Sequence, residues 1–294
     1  MSDEKSLKYN EPWILQRADP YVYRHTDGSY YFTASVPAYD GIVLRRAGSL
    51  AELSGAEEVM IWKKHESGPM SYHIWAPEIH YLLGKWYIYF AGGEKEDIWK
   101  IRPYVLECSG DDPLTDEWVE LGKMKRAAED EFSFEAFSLD ATVFENKGEY
   151  YYVWAEKVGV GKMISNLYIA KMESGNQLKT VQILLTTPDY DWERKGFWVN
   201  EGPAVIHHDG KLFLTYSASE TGVDYCVGML SIDEDADLLD PRLWKKERYP
   251  VLKTCEKLGI YGPGHNSFTV DEDGNDVMVS HARVSYTHLT LPPT

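Results

Sequence analysis

The sequence predicts an all-β fold, a five-bladed β-propeller whose antiparallel blades surround a central channel. A hairpin pattern, in which a strand, a glycine turn and an aromatic second strand follow one another, occurs five times. The copies start at residues 19, 76, 140, 202 and 265, so successive starts lie 57, 64, 62 and 63 residues apart. Repeats of this length indicate a propeller, because a single sheet needs neighbours to bury both of its faces.

The turns and the composition of the five copies support the same fold. Each copy has a glycine eight or nine residues after its start, where a tight turn favours a residue without a Cβ. The chain contains 10 Trp, 21 Tyr and 9 Phe, and these aromatic residues concentrate in the repeated strands, as half-buried pleated surfaces favour. A β-sandwich with similar hairpins is the alternative fold. The turn glycines are Gly28, Gly84, Gly148, Gly210 and Gly274.

The outer strands follow each hairpin in order, except in the last copy. The fifth copy lacks outer strands, and residues 284–294 carry neither charges nor a turn signal. Because all-β chains of this length often form one domain, we predict a single catalytic domain over residues 1–283 and a non-native tail over residues 284–294. The outer strands are predicted at 41–46 and 58–62, at 102–108 and 117–121, at 166–172 and at 224–231.

The charge of the chain excludes several classes of partner. The 47 acidic and 30 basic residues give a net charge of −17, so nucleic acid and anionic membranes are not expected as partners. The first residues lack the apolar segment of a signal peptide, which predicts a cytoplasmic protein. Three scattered cysteines indicate neither a disulfide framework nor a metal knuckle. No pattern in the sequence indicates an oligomeric state.

Carboxylates stand at or beside three of the five strand starts. Asp19 and Asp140 begin the first and third copies, and Glu201 directly precedes the fourth. The first strand of every propeller blade lines the channel, so these side chains are expected at one mouth. Crowding raises at least one pKa, which leaves one acid and one base, the pair that glycoside hydrolysis requires. The structural alternative is that Asp19 begins a strand and Asp140 forms an Asx turn.

Six motifs stand out as a set: Ala18-Asp19-Pro20, His73-Ile-Trp-Ala-Pro-Glu78, Ser138-Leu-Asp140-Ala, Asn200-Glu201-Gly-Pro203, Gly262-Pro-Gly-His265-Asn-Ser267 and His281-Ala-Arg283. Together they resemble glycoside hydrolase family 43, whose members are five-bladed propellers that cleave arabinose- and xylose-containing glycans with inversion. The resemblance covers the chain up to residue 283. It implies that Asp19 is the general base, that Glu201 is the general acid, and that Asp140 raises the pKa of the acid and orients it.

Within this family, the opening hairpin and the following Val36-Pro-Ala-Tyr-Asp40 most resemble exo-acting α-L-arabinofuranosidases. The resemblance implies removal of terminal α-L-arabinofuranosyl residues from arabinan or arabino-oligosaccharides. A β-D-xylosidase, a bifunctional xylosidase/arabinofuranosidase and a non-catalytic glycan-binding propeller stay open as alternatives. β-Fructosidases share the fold but carry Arg-Asp-Pro where this chain reads Leu139-Asp140-Ala141, which argues against them.

Aromatic residues near the strand starts are the expected sugar contacts. The candidate substrate-binding residues are Trp75, His73, Phe137, Trp198 and Arg283, the last of which resembles a family arginine near the sugar. No cofactor is required by this hypothesis. The resemblance implies that His265 lies near an axial water or a structural calcium ion in the channel, which it would reach through water. The alternative is that His265 caps a strand end through hydrogen bonds.

Overall fold

The computed structural model describes residues 12–159 and 162–283, and in these ranges the protein is all-β. The helical segments in this part of the chain are three short 3₁₀ turns, Ala51–Ser54, Asp191–Glu193 and Glu256–Leu258. None of the helices in the described ranges is long and apolar enough to cross a membrane. The predicted tail, residues 284–294, lies outside the described residues.

The described strands fall into five consecutive groups along the chain. They are β1 (Ala18–Arg24), β2 (Tyr30–Ser35), β3 (Gly41–Ala47) and β4 (Val59–Lys63); β5 (Tyr72–Leu82), β6 (Lys85–Glu94), β7 (Asp97–Cys108) and β8 (Val119–Lys123); β9 (Ser138–Asn146), β10 (Glu149–Gly159), β11 (Met163–Ser174), β12 (Gln177–Leu178) and β13 (Ile183–Thr186); β14 (Trp198–His208), β15 (Lys211–Ala218), β16 (Cys226–Asp233) and β17 (Lys245–Lys246); and β18 (Tyr261–Val270) and β19 (Asp276–Arg283).

Within each group the strands pair antiparallel. The first, second and fourth groups each form a four-stranded run in chain order, and in the third group β12 and β13 both pair with β11. A short parallel pairing of β11 with β14 joins the third and fourth groups. The fifth group consists of β18 and β19 in the described part of the chain. The prediction of an all-β chain built from repeated antiparallel hairpins is therefore confirmed.

The five hairpins share two backbone features at matched positions. Their turn glycines all have φ between +72° and +89°, the left-handed region for which glycine was expected. Near the beginning of each first strand, one residue is left-handed with φ between +41° and +53°, and the pairing register shifts beside it. Such bulges re-aim side chains. These left-handed residues are Asp19, Ala76, Asp140, Gly202 and His265.

The first strands of the five groups contact one another in a cycle. β1 contacts β5, β5 contacts β9, β9 contacts β14, β14 contacts β18, and β18 contacts β1. The five left-handed residues occupy equivalent places in these strands. The side chains of Asp19, Asp140 and His265 meet there, because His265 Nδ1 lies within 4 Å of both carboxylates.

The apolar core lies between neighbouring groups. Trp86 packs between the first and second groups, Tyr152 between the second and third, and Tyr216 between the third and fourth. Val279 of β19 packs against the cluster around Phe32, which joins the fifth group to the first. Full burial of a large apolar side chain contributes roughly 1.5–3 kcal/mol, so these layers hold the first strands in place. A cavity of about 390 Å³ separates parts of the fourth and fifth groups.

Candidate active site

The three carboxylates at the strand starts lie around one histidine. His265 Nδ1 lies 3.2 Å from Asp19 Oδ1 and 3.6 Å from Asp140 Oδ2. Asp140 Oδ2 also accepts a hydrogen bond of 3.2 Å from the backbone N–H of Gly202, the residue after Glu201. The structure thus gathers carboxylates from the first, third and fourth groups at one opening.

Asp19 is held as an ionised carboxylate. Its Oδ2 accepts a hydrogen bond of 2.6 Å from the Ser35 hydroxyl, and its backbone N–H donates to His281 Nδ1 at 3.1 Å. Burial alone raises the pKa of Asp19, but His265, His281 and Ser35 outweigh burial and hold this pKa well below its usual range. Asp19 is therefore ionised at neutral pH.

The pKa values of Asp140 and Glu201 are raised, whereas that of Asp19 is lowered. Burial, with the charge of Asp19, raises the pKa of Asp140 well above its usual range, although the Gly202 N–H opposes this shift. Burial, with the charge of Asp140, raises the pKa of Glu201 to about 7. Because the two carboxyls interact, the pair as a whole retains a proton near neutral pH.

A tyrosine holds one oxygen of Glu201. The Tyr225 hydroxyl donates to Glu201 Oε1 at 2.8 Å, which favours the ionised form and limits the rise of its pKa. Two glycines make room for these contacts. A Cβ at Gly202 would lie 3.1 Å from the His265 ring, and a Cβ at Gly264 would overlap the Tyr225 ring. Larger residues at either position would push the site apart.

Sequence reasoning missed three polar groups of this site: Ser35, Tyr225 and His281. The ring of Tyr225 stacks on His281 with centroids 5.7 Å apart and planes at 15°. His281 stands in one of the six motifs, and Ser35 lies opposite Ala18 in the first hairpin, so both carried a signal. Tyr225 lies in the connection between β15 and β16, and no sequence pattern marks it.

Trp75 and His73 lie on the rim beside Asp19. The backbone N–H of Ala76 donates to Ser35 Oγ at 2.8 Å, and Ser35 in turn binds Asp19. The Trp75 and His73 rings contact each other at 4.3 Å. These two predicted substrate-binding residues therefore contact each other on the strand that Ser35 links to Asp19.

Phe137 lies near the opposite carboxylate. Lys157 Nζ lies 3.7 Å from the centroid of the Phe137 ring. Burial lowers the pKa of Lys157, and the charge of Glu201 opposes that change, which puts the lysine within the electrostatic reach of Glu201. Phe137 also packs on the same apolar cluster as Trp75.

Trp198 and Arg283 contact other groups in the described part of the chain. Lys162 Nζ and Arg194 Cζ lie 4.5 Å and 4.9 Å from the centroid of the Trp198 ring. The ring therefore makes cation–π contacts with both side chains. Arg283 ends β19, where it pairs with Tyr261. Their roles as sugar contacts stay predictions.

The surroundings of His265 do not fit a directly bound calcium ion. Calcium takes about six to eight oxygen ligands, whereas the carboxylates of the described residues within 4 Å of His265 Nδ1 are those of Asp19 and Asp140. Within residues 12–159 and 162–283, no group of three or more His, Cys, Asp or Glu side chains is suited to hold a metal ion. A calcium ion reached through water stays a prediction, and the chemistry below is carried by the protein's own groups.

A second buried polar cluster lies on β1 and β5 behind the opening. His80 Nε2 lies 2.9 Å from Glu78 Oε2, and His80 Nδ1 lies 3.3 Å from the Tyr21 hydroxyl. Burial raises the pKa of Glu78 to about 8, although a hydrogen bond from Thr142 opposes it, and burial lowers the pKa of His80 to about 3. The contact between Glu78 and His80 is therefore a hydrogen bond between neutral groups at pH 7, not an ion pair.

Replacing Glu78 with glutamine should stabilise the protein increasingly as pH rises from about 5 to about 8. The pKa of Glu78 is raised from 4.5 to about 8 in the folded state. Between these two pH values the folded protein holds a proton that the unfolded protein has lost, so the stability of the parent protein falls as pH rises. The advantage of Glu78→Gln should grow by up to roughly 1.4 kcal/mol per pH unit. Urea unfolding at pH 5, 6.5 and 8 measures it, with exposed Glu247→Gln as control; a constant difference between the proteins would contradict the buried-acid assignment.

A deep cluster of carboxylates, in which one group stays ionised and another keeps a proton near neutral pH, is characteristic of glycoside hydrolases. The chain belongs to glycosyl hydrolases family 43, whose family model matches residues 9–291. It is similar to a solved structure, an alpha-L-arabinofuranosidase from Lactobacillus brevis, with a TM-score of 0.89 and 50% identity, covering 97% of this chain and 89% of that one.

Two Streptomyces proteins, each named extracellular exo-alpha-(1->5)-L-arabinofuranosidase, are also similar to this chain. The protein from Streptomyces avermitilis is 50% identical over 279 residues, which is 95% of this chain and 57% of the relative. The protein from Streptomyces chartreusis is 49% identical over 276 residues, which is 94% of this chain and 82% of the relative. The chain thus spans little more than half the length of the first of these relatives.

The prediction of a cytoplasmic location is wrong. Both Streptomyces relatives are named extracellular enzymes, which contradicts it. The prediction depended on the absence of an apolar leader in the first residues of the sequence. The excess of acidic over basic residues is equally compatible with either location.

Proposed function

We propose that this chain is the catalytic domain of an inverting glycoside hydrolase that removes terminal α-L-arabinofuranosyl residues from arabinan or arabino-oligosaccharides. The observation that carries the proposal is the pairing of an ionised Asp19 with Glu201, whose pKa of about 7 leaves about half of it protonated at neutral pH. The names of the similar proteins support the choice of sugar and of terminal action.

In the proposed reaction, Asp19 is the base and Glu201 is the acid. Asp19 accepts a proton from a water molecule while the oxygen of that water bonds to the anomeric carbon of the sugar. Glu201 donates its proton to the glycosidic oxygen as the old bond breaks, so one water is consumed and the configuration inverts. Solvent then removes the proton from Asp19 and returns one to Glu201.

The pKa values of Asp140 and Glu201 are both raised. The contacts of these two carboxyls support placing the shared proton on Glu201. Asp140 accepts a hydrogen bond from the Gly202 N–H, and this contact favours its ionised form. Oε1 of Glu201 accepts from Tyr225, which leaves Oε2 to carry the proton toward the substrate. In this assignment the proton that the pair shares lies on Glu201, and Asp140 is the ionised partner whose charge raises the pKa of the acid.

We also propose that residues 1–283 form one five-bladed propeller. The five matched left-handed residues and the cycle of contacts among β1, β5, β9, β14 and β18 support this count. An incomplete fifth blade agrees with the two strands of the fifth group in the described residues. A crystal structure that placed these first strands in two facing sheets would contradict the propeller.

The substrate is tested by product analysis. We expect release of arabinose from linear 1,5-linked arabino-oligosaccharides, one unit at a time, and hydrolysis of nitrophenyl α-L-arabinofuranoside faster than of the β-D-xyloside. Proton NMR of the first product should show the anomer inverted relative to the substrate. Preference for the xyloside would favour the xylosidase alternative, and absence of hydrolysis would favour a binding protein.

Replacing Tyr225 with phenylalanine should raise the pKa of Glu201. The lost hydrogen bond favours the carboxylate, so its removal should move the alkaline limb of kcat/KM upward from near pH 7 by about one unit. The pH profile with nitrophenyl α-L-arabinofuranoside measures this shift. Tyr249→Phe, at an exposed tyrosine, serves as control. A downward shift or an unchanged limb would contradict the role assigned to Tyr225.

A further inference from the structure

An exposed indole lies beside the opening, on a strand that the site described so far does not use. Trp99 of β7 is 55% exposed, and its ring centroid lies 5.3 Å from His73 and 6.5 Å from Trp75. Tyr39 contacts Trp75 edge-on, with ring centroids 5.9 Å apart and planes at 84°. We refer to Tyr39, Trp75, His73 and Trp99 as the aromatic rim.

His73 adopts an unfavourable conformation to hold the aromatic rim together. Its φ is +50°, and its Nε2 is buried with no hydrogen-bond partner among the described residues. A left-handed backbone in a residue with a Cβ and an unpaired buried nitrogen both cost stability. Strain of this kind concentrates at functional sites, where the surrounding structure enforces it. The strained residue is the one whose ring contacts both Trp75 and Trp99, and rings that are held in place before binding lower the entropy cost of ligand capture.

The aromatic rim is continuous with the catalytic groups. The backbone N–H after Trp75 binds Ser35, which binds Asp19. The interior behind the opening is occupied by Glu78 and His80, both buried. A chain whose terminal sugar enters the opening must therefore leave across its edge, and the aromatic rim forms part of that edge.

We propose that Trp99 forms a binding subsite for the second sugar on the leaving-group side of the bond that is cleaved. The inference rests on the proposed function: the terminal sugar fills the opening, the next lies at Trp75, and the third stacks on Trp99. The apolar C–H face of a neutral pentose unit suits an exposed indole, and the net charge of −17 disfavours acidic glycans. The ligand class is a neutral linear oligosaccharide of three or more units.

The test compares substrates that differ by the one sugar assigned to Trp99. In Trp99→Ala, the ratio of kcat/KM for the 1,5-linked arabinotriose to kcat/KM for the arabinobiose should fall roughly three- to tenfold, because a ring contact is lost with the longer substrate alone. Trp99→Phe should restore most of the ratio. Tyr249→Ala, at a 72% exposed tyrosine, should leave the ratio as in the parent protein. An unchanged ratio in Trp99→Ala would overturn the subsite.

A binding measurement separates this inference from the proposed function. Binding of arabinotriose to Glu201→Gln and to Glu201→Gln/Trp99→Ala is measured by calorimetric titration. This measurement does not require turnover. We expect the dissociation constant to rise roughly three- to tenfold in the double variant. If the parent protein hydrolysed no arabinoside but this difference held, the hydrolase would be contradicted and the subsite supported. Equal binding, or no binding to Glu201→Gln, would overturn the subsite.

Discussion

Glu201→Gln should lower kcat on arabino-oligosaccharides by at least roughly 10²–10⁴-fold, because glutamine cannot donate the proton that the leaving oxygen needs. The amide keeps nearly the same shape, so Tyr225 can still contact the side chain. Binding of arabinotriose should therefore persist while turnover is lost. Steady-state kinetics and calorimetry on the same preparation measure the two effects.

The leaving group provides the internal control for the loss of the acid. A dinitrophenyl arabinofuranoside needs little protonation as it departs, so Glu201→Gln should be impaired far less on this substrate than on an oligosaccharide. Glu247→Gln removes a carboxylate at an exposed position and should behave as the parent protein. Equal loss on both substrates, or no loss on either, would contradict the role of Glu201 as the acid.

Asp19→Asn should lower kcat by a similar factor, roughly 10²–10⁴-fold, but equally for good and poor leaving groups. The base acts on water and not on the departing oxygen, so leaving-group chemistry cannot compensate for its loss. The amide also removes the negative charge that His265 and His281 surround. Kinetics with the nitrophenyl and dinitrophenyl substrates measure the effect.

Azide distinguishes a missing base from a misfolded site. As an anionic nucleophile it needs no deprotonation, so it should restore turnover in Asp19→Asn and yield an arabinosyl azide of inverted configuration. It should not restore hydrolysis of oligosaccharides in Glu201→Gln, where the leaving group is the obstacle. A product of retained configuration in the parent protein would exclude Asp19 as a base acting on water.

The repeat in the sequence was sufficient to predict the hairpins and the neighbourhood of the carboxylates. The turn glycines, such as Gly28 and Gly148, adopt the left-handed backbone that their positions indicated. Counting from each strand start also brought Asp19 and Asp140 to equivalent places, where both are now seen beside His265. Period and register are local properties of a repeat, so they can be read without knowing the tertiary structure.

Groups that enter the site from outside the repeat could not be predicted. Tyr225 reaches Glu201 from a connection, and Trp99 reaches the rim from a second hairpin, so their places depend on how strands cross in space. Glu78 was part of a motif, but its pKa of about 8 comes from burial, which composition does not reveal. Sequence alone likewise did not show that Lys162 and Arg194 lie on the ring of Trp198, because these cations come from two separate segments.

The state of Glu201 in the folded protein tests the central claim most directly. Carbon-13 NMR of the protein labelled at glutamate carboxyl carbons gives the pKa of each glutamate, and Glu201→Gln and Glu78→Gln assign the two unusual signals. We predict one carboxyl with a pKa of about 7 that vanishes in Glu201→Gln and one of about 8 that vanishes in Glu78→Gln. A Glu201 signal that titrates near the ordinary value of 4.5 would contradict the account.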